Sequence, residues 1–213
     1  FFGKKIDLQR TPDFEINSGM KLLNGKSLVK KSLSVFDKLR SDNLTPAVRL
    51  VGDDILLFDY VNHPTFLSLA TSPLNVESIL FLTINGLRAL HKHGVAHLDP
   101  NWANMFLVQP GQNPLFIDFD RDNYNSTAWD SDYVVDHFKI YTELFSSKFL
   151  IPHCLSNPER FAHIFWISLS DSEKNDFRKI NADHIQMLEP RLKEKHELQI
   201  GLNALENEMQ RYF

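Results

Sequence analysis

The sequence predicts an α+β fold in two unequal parts, a small strand-rich part over residues 1–60 and a larger helical part over residues 61–213. Short apolar runs separated by turn residues fill the first part, which is typical of hairpins. After Tyr60, longer segments carry apolar residues at helical spacing. A total of 213 residues is enough for one sizeable core, or for one core shared between two lobes.

The first part contains a turn signal at Asn24-Gly25, between the runs 20–23 and 27–30. Asn-Gly between two such runs favours a hairpin, because both turn positions need a positive φ. We therefore expect a strand at residues 27–30. A short helix is expected to follow, from about Ser32 to Ser41, with apolar residues at helical spacing.

A second turn signal, Gly52-Asp53-Asp54, separates the run 47–50 from the run Ile55–Phe58. Both runs are short and bounded by turn residues, so we expect Ile55–Phe58 to be a strand. Asp59-Tyr60-Val61 then connects this strand to the helical part.

The helical part is expected to begin with a long helix, capped by Asn75, ending near His93 and closed by Gly94. Two short apolar runs, 105–108 and 115–119, flank Asn113-Pro114 and predict a small hairpin. Helical spacing predicts four further helices, at about residues 131–145, 158–169, 172–180 and 182–211.

Bulk composition excludes several functional classes. The net charge is −4, which does not indicate a general nucleic-acid binder. Cys154 is the single cysteine, so neither an internal disulfide nor a multi-cysteine metal site is expected. No apolar run approaches the roughly 18–20 residues that span a bilayer, and we expect no transmembrane segment.

Three polar residues stand where phosphoryl-transfer chemistry needs them. Such transfer requires an acceptor oxygen held in line and cations that neutralise the phosphate charge. Asp99, on the loop after the long helix, is suited to orient an acceptor hydroxyl and take its proton. Asn104 and Asp118 supply an amide oxygen and a carboxylate, which are the hard oxygen ligands that Mg²⁺ prefers.

The pattern His-x-Asp-x-x-x-x-Asn at 97–104, followed by a ribbon ending in Asp118-Phe119, resembles the catalytic loop and metal motif of the protein-kinase-like superfamily. The segment 118–121, Asp-Phe-Asp-Arg, is similar to a motif of bacterial lipopolysaccharide-core and Kdo kinases. Asp-Pro-Asn-x-x-Asn at 99–104 resembles those enzymes and the aminoglycoside phosphotransferases. Minimal effector kinases of pathogenic bacteria share the short form.

The resemblance implies a two-lobed kinase-like fold with a reduced strand-rich N-lobe and a helical C-lobe. It implies ATP and Mg²⁺ as cofactors and transfer of the γ-phosphate to a hydroxyl of a glycan or a protein. Asp99 would be the catalytic base, and His97 would brace the loop. Asn104 and Asp118 would be metal ligands, and Asp120 would make a further metal contact.

The same resemblance assigns the nucleotide side of the site. The backbone of the connector, at Asp59 and Val61, would pair with the adenine base. Lys30 and Lys31 lie on opposite faces of the expected strand. Either is a candidate for the lysine that contacts the nucleotide, and Lys30 is preferred.

The sequence departs from the superfamily pattern in two ways. No Gly-x-Gly-x-x-Gly is present, so the phosphate-covering loop is absent, degenerate or upstream of Phe1. The expected first helix has no glutamate to pair with a lysine, and Asp37 is its best-placed acid. The alternative is therefore a catalytically impaired pseudokinase acting as a nucleotide- or protein-binding module. The implied location is cytoplasmic, or a host cytosol for an effector.

Two further features have simple interpretations. His91 and His93 are two residues apart near a helix end and so face different ways. This favours surface histidines over a metal cluster. Trp102 lies within the loop and is expected either to pack beneath it or to line the acceptor site.

Overall fold

The computed structural model describes residues 2–5, 14–15, 20–22, 25–109, 111–119, 121–123, 132–179 and 196–212. Across these residues the chain is a mixed α+β protein, mostly helical, with small antiparallel sheets. The predicted α+β class is therefore confirmed. Within the same ranges, none of the helices combines the length and apolarity needed to cross a membrane.

Eight strands and eight α-helices occur in the described residues. The strands are β1 Phe2–Lys5, β2 Phe14–Glu15, β3 Met20–Leu22, β4 Val48–Val51, β5 Ile55–Phe58, β6 Met105–Phe106, β7 Leu115–Phe116 and β8 Arg121–Asn123. The helices are α1 Gly25–Leu39, α2 Phe66–Leu69, α3 Pro73–Lys92, α4 Asp132–Ser146, α5 Ile151–Cys154, α6 Pro158–Ser168, α7 Asp171–Phe177 and α8 His196–Gln210. Short 3₁₀ turns cover Arg40–Asp42 and Trp102–Asn104.

The strands form three antiparallel groups. One sheet has the order β1-β5-β4, and in it β4 and β5 are joined through Gly52, whose φ is 64°. A second sheet has the order β2-β3-β8, and β6 pairs with β7. The strand predicted at Ile55–Phe58 and the hairpin predicted at 105–119 are confirmed, although β6 and β7 are shorter than expected.

The hairpin predicted at Asn24-Gly25 is wrong. Helix α1 begins at Gly25 and includes the run that was expected to be a strand. Leu28 and Val29 are buried in a small cluster with Val48 and Leu56, so packing of the helix on β4 and β5 outweighs the local turn signal. We refer to these four side chains as the α1 cluster.

The N-cap of helix α3 is Ser72, three residues before the expected cap. The Ser72 hydroxyl accepts a hydrogen bond from the Asn75 backbone N–H at 3.3 Å, and Pro73 occupies the first turn. The Asn75 side chain instead donates to Thr71 Oγ1 at 3.0 Å. The helix ends where it was predicted to end, before Gly94 with its φ of 67°.

The helices predicted near 131–145, 158–169 and 172–180 are confirmed as α4, α6 and α7. Of the last predicted helix, only α8 lies in the described residues. The main core is the large apolar cluster that packs between these helices and α3. Gly86 of α3 lets the β6–β7 hairpin approach closely, since a Cβ there would collide with the Pro114 ring.

Candidate functional site

A cleft of about 480 Å³ opens between α1, β4, the connector after β5 and residues 117–119. Most of its lining is apolar. Asp59, Tyr60 and Val61 of the connector lie on one wall, and Asp118 lies on another. The structure therefore brings the expected adenine-binding segment and one expected metal ligand into the same cavity. The volume is within the roughly 300–1,000 Å³ range of small-molecule sites.

His97 fixes the loop to the strand that leads to Asp118. Its ring Nε2 lies 2.9 Å from the Ile117 carbonyl oxygen, and its Nδ1 lies 3.3 Å from the Asp99 backbone nitrogen. A carbonyl only accepts, so Nε2 carries the proton and Nδ1 accepts from the Asp99 N–H. Burial lowers the pKa of His97, which keeps the ring neutral. This geometry suits bracing of the loop.

The Asp99 and Asn104 loop is closed on itself and tied to Ile117. The Asn104 side-chain nitrogen donates to the Asp99 carbonyl at 3.3 Å, and the Ile117 N–H donates to the Asn104 carbonyl at 3.0 Å. The Asn101 side chain caps the following 3₁₀ turn by accepting from the Ala103 N–H at 3.1 Å. The loop is therefore held beside the end of β7. Asp99 on the loop is partly buried, and Asp118, two residues after β7, is exposed.

Asp136 of α4 is a central residue that the sequence analysis missed. Its carboxylate accepts from the His97 N–H at 2.8 Å and from the Leu98 N–H at 2.6 Å, and lies 3.0 Å from His91 Nε2. Complete burial alone would raise the pKa of Asp136, but these hydrogen bonds and the two imidazoles lower it. An ionised carboxylate thus anchors the loop from inside the core.

Two residues of the site have left-handed backbone conformations, Leu98 with φ 66° and Asp118 with φ 69°. Asp tolerates this region, whereas a bulky Leu there is strained. The hydrogen bond from the Leu98 N–H to Asp136 and the burial of the Leu98 side chain hold this conformation in place.

Glu143, also missed, supports the loop from below. Its two carboxyl oxygens lie 3.2 and 3.1 Å from the Trp102 backbone nitrogen, which donates to them. Burial, helped by the negative charge of Asp99 and opposed by the hydrogen bond from the Trp102 N–H, raises the pKa of Glu143 to about 8. Trp102 itself is fully buried, so it packs beneath the loop and does not line an acceptor site.

A sequence signal for both missed acids exists. Asp136 and Glu143 are seven residues apart on α4, which is two helical turns, so they share one face. Acidic side chains on the core-facing side of a helix are rarely buried without partners. Their presence at apolar positions is therefore a sign of a polar network.

The remaining expectations have mixed outcomes. Lys30 is exposed on α1, which is a helix and not the expected strand, and it is not part of the cleft lining. The reason for preferring it as the nucleotide lysine therefore no longer holds.

Asp120 lies outside the described residues. His93 is partly exposed beside Asp42, with Nε2 at 3.0 Å from a carboxylate oxygen. His91 is mostly buried, so its interpretation as a surface histidine is wrong.

No protein-family model matches the chain, and no curated protein matches it in sequence. Any functional conclusion therefore depends on the residues of the site.

Proposed function

We propose that the chain is an ATP- and Mg²⁺-dependent phosphotransferase that moves the γ-phosphate to a hydroxyl acceptor. One observation carries this proposal. The hydrogen bonds of His97 and Asn104 tie the loop of Asp99 to the residue before Asp118, and Asp118 lines the same cleft as the connector. The carboxylates of Asp99 and Asp118 are both close enough to His97 to influence its pKa.

The donor set fits Mg²⁺, because the Asp118 carboxylate and the Asn104 amide oxygen are hard ligands. When bound, the ion would neutralise phosphate charge. Asp99 would orient the acceptor hydroxyl and accept its proton. The mainly apolar cleft would hold the base against the Asp59–Val61 connector. His97 would keep the loop in position without exchanging a proton.

The test is transfer of label from γ-labelled ATP with Mg²⁺ to glycan fractions and to host-cell lysate. Asp99→Ala and Asp118→Ala should each lower the rate by orders of magnitude, since each removes a group that acts on the reacting atoms. Asp53→Ala, an exposed aspartate in the β4–β5 turn, is the matched control and should leave the rate unchanged. An Asp118→Ala protein with a normal rate would contradict the proposal.

A pseudokinase or binding module is the second candidate. The described side chains lining the cleft include two carboxylates and no lysine or arginine, and α1 contains no glutamate. Nucleotide with and without Mg²⁺ should raise the melting temperature of an active enzyme, because a ligand that binds only the folded state stabilises it. Absence of any shift, together with absence of label transfer, would favour the second candidate.

A further inference from the structure

We propose that His91, His137 and Glu173 form a binding site for a transition-metal ion of the zinc type, separate from the cleft. The three residues come from α3, α4 and α7, which are far apart in sequence. One potential ligand atom from each lies within 4.8 Å of the other two.

His137 provides the first indication of a ligand. The residue is 2% exposed, and its Nε2 has no hydrogen-bond partner among the described residues. The ring also makes a hydrogen bond to the Tyr133 backbone, which must therefore involve Nδ1. With Nδ1 as the donor, the neutral ring carries its lone pair on the buried, unpartnered Nε2.

The lone pair of His137 lies beside a negative charge. Nε2 is 3.5 Å from Glu173 Oε1. The Glu173 carboxylate accepts from the Arg88 guanidinium and from the Ser170 N–H, donors that favour its ionised form. A lone pair and a carboxylate oxygen at this separation do not attract each other. A cation bound by both atoms would resolve the contact and satisfy the buried nitrogen.

Glu173 is held in a fixed orientation. Arg88 donates to Oε1 at 3.2 Å and to Oε2 at 2.7 Å, and the Ser170 N–H donates to Oε2 at 2.6 Å. Each carboxylate oxygen accepts more than one bond, so Oε1 retains capacity for a further partner. Arg88 offsets part of the carboxylate charge, which favours a site of moderate affinity.

The His91 ring is hydrogen-bonded to a carboxylate on the side away from the proposed ion, as metal-binding histidines usually are. Its Nε2 lies 3.0 Å from Asp136 Oδ2, and Asp136 is an acceptor for two backbone N–H groups. Nε2 therefore carries the proton, and Nδ1 carries the lone pair. A carboxylate that fixes the tautomer of a ligating imidazole in this way is a common arrangement. Stacking on Tyr133, with ring centroids 4.2 Å apart, fixes the ring plane.

The donor set indicates the kind of ion. Two imidazoles and one carboxylate, with a fourth position left open, is a typical zinc set, whereas Mg²⁺ prefers oxygen ligands. Tetrahedral ligands at roughly 2.0–2.2 Å from zinc lie about 3.5 Å apart. His137 Nε2 and Glu173 Oε1 already have this separation, so only the His91 ligand atom, within 4.8 Å of both, needs to approach, by about 1 Å. An ion here would join three helices directly behind Asp136, which anchors the loop.

The experiment loads chelator-treated protein with Zn²⁺, removes free metal and measures metal content, with no nucleotide present. We expect about one zinc per chain and micromolar or tighter affinity. His137→Gln and Glu173→Gln should each weaken binding by more than about 100-fold, since loss of even a supporting residue costs 10–100-fold. His163→Gln, a partly exposed histidine paired with Glu208, is the control and should bind like the unmodified chain.

A spectroscopic measurement covers the case in which a variant does not fold. X-ray absorption of the zinc-loaded unmodified chain should show two imidazole ligands and oxygen. Folded chain that retains no zinc, zinc without two imidazoles, or equal loss in His163→Gln and His137→Gln would each overturn the proposal. Metal content is independent of ATP turnover, so failure here leaves the proposed phosphotransfer unaffected, and the converse also holds.

Discussion

The two sides of the cleft are held together in different ways. The side that carries Asp99 and Asp118 rests on the main core and on a buried polar network centred on Asp136. The opposite side, made of α1 and β4–β5, has the four side chains of the α1 cluster and joins the main core through Val35 and Leu39 near the end of α1. Elements with few buried apolar contacts open and rearrange at lower free-energy cost. We therefore expect a rigid wall on the side of Asp99 and Asp118 and a more adjustable wall on the side where the proposed nucleotide would bind.

The largest loss of stability is expected from removing the Asp136 carboxylate, which anchors the wall that carries Asp99 and Asp118. Asp136→Ala leaves two backbone N–H groups and His91 without their buried acceptor, and we expect it to reduce the free energy of unfolding by about 3–5 kcal/mol. Urea denaturation measures this. Asp53→Ala, at the exposed turn, should stay within about 0.5 kcal/mol of the unmodified chain. Equal, small losses in both variants would mean that the network does not stabilise this wall.

Shortening one buried leucine on each side of the cleft compares how tightly the two sides are packed. Leu90 lies in the main core and Leu56 in the α1 cluster, and both are fully buried. We expect Leu90→Ala to cost about 4 kcal/mol and Leu56→Ala about 2 kcal/mol, because a small cluster with partly exposed neighbours collapses more easily around a deletion. Denaturation midpoints and slopes give both values. A larger loss for Leu56→Ala would reverse the proposed contrast.

The smallest expected change in stability comes from Glu143→Gln, and its size depends on pH. The folded protein raises the pKa of this carboxyl from its ordinary 4.5 to about 8. The folded state therefore binds the proton more tightly, and stability falls as pH rises between these two values. Glu143→Gln cannot ionise, and its amide oxygen can still accept from the Trp102 N–H.

We expect Glu143→Gln to match the unmodified chain near pH 4.5 and to exceed its stability by about 1–2 kcal/mol above pH 8. Melting temperatures across this pH range measure the difference. Parallel curves for the two proteins would show that Glu143 is not a buried, proton-binding support of the loop.

Sequence reasoning succeeded where structure is determined locally. The strand Ile55–Phe58, the β6–β7 hairpin and the end of α3 at Gly94 were predicted because turn residues and helical spacing specify them directly. Asn24-Gly25 failed because the burial of Leu28 and Val29 against distant strands decides that segment.

The candidate site shows the same division between residues identified by local patterns and residues placed by long-range contacts. The spacing of His97, Asp99 and Asn104 identified a loop whose hydrogen bonds the structure now describes. Asp136 and Glu143 were missed because their partners lie about 40 residues earlier in the chain. His91 was misplaced for a related reason, since only the folded chain brings α4 against the end of α3. Long-range contacts of buried polar groups leave little trace in local patterns.

The pairing of β3 with β8 has a consequence for biosynthesis. Leu22 is opposite Arg121 in this ladder, so its two strands are separated by about one hundred residues. Closing so long a loop carries an entropic cost that contacts within a hairpin avoid, and such pairings form slowly. During translation, β3 emerges from the ribosome well before its partner has been made. The helices between them are therefore expected to fold first, and the β3–β8 ladder to join the start of the chain to the segment after Asp118 as a late step.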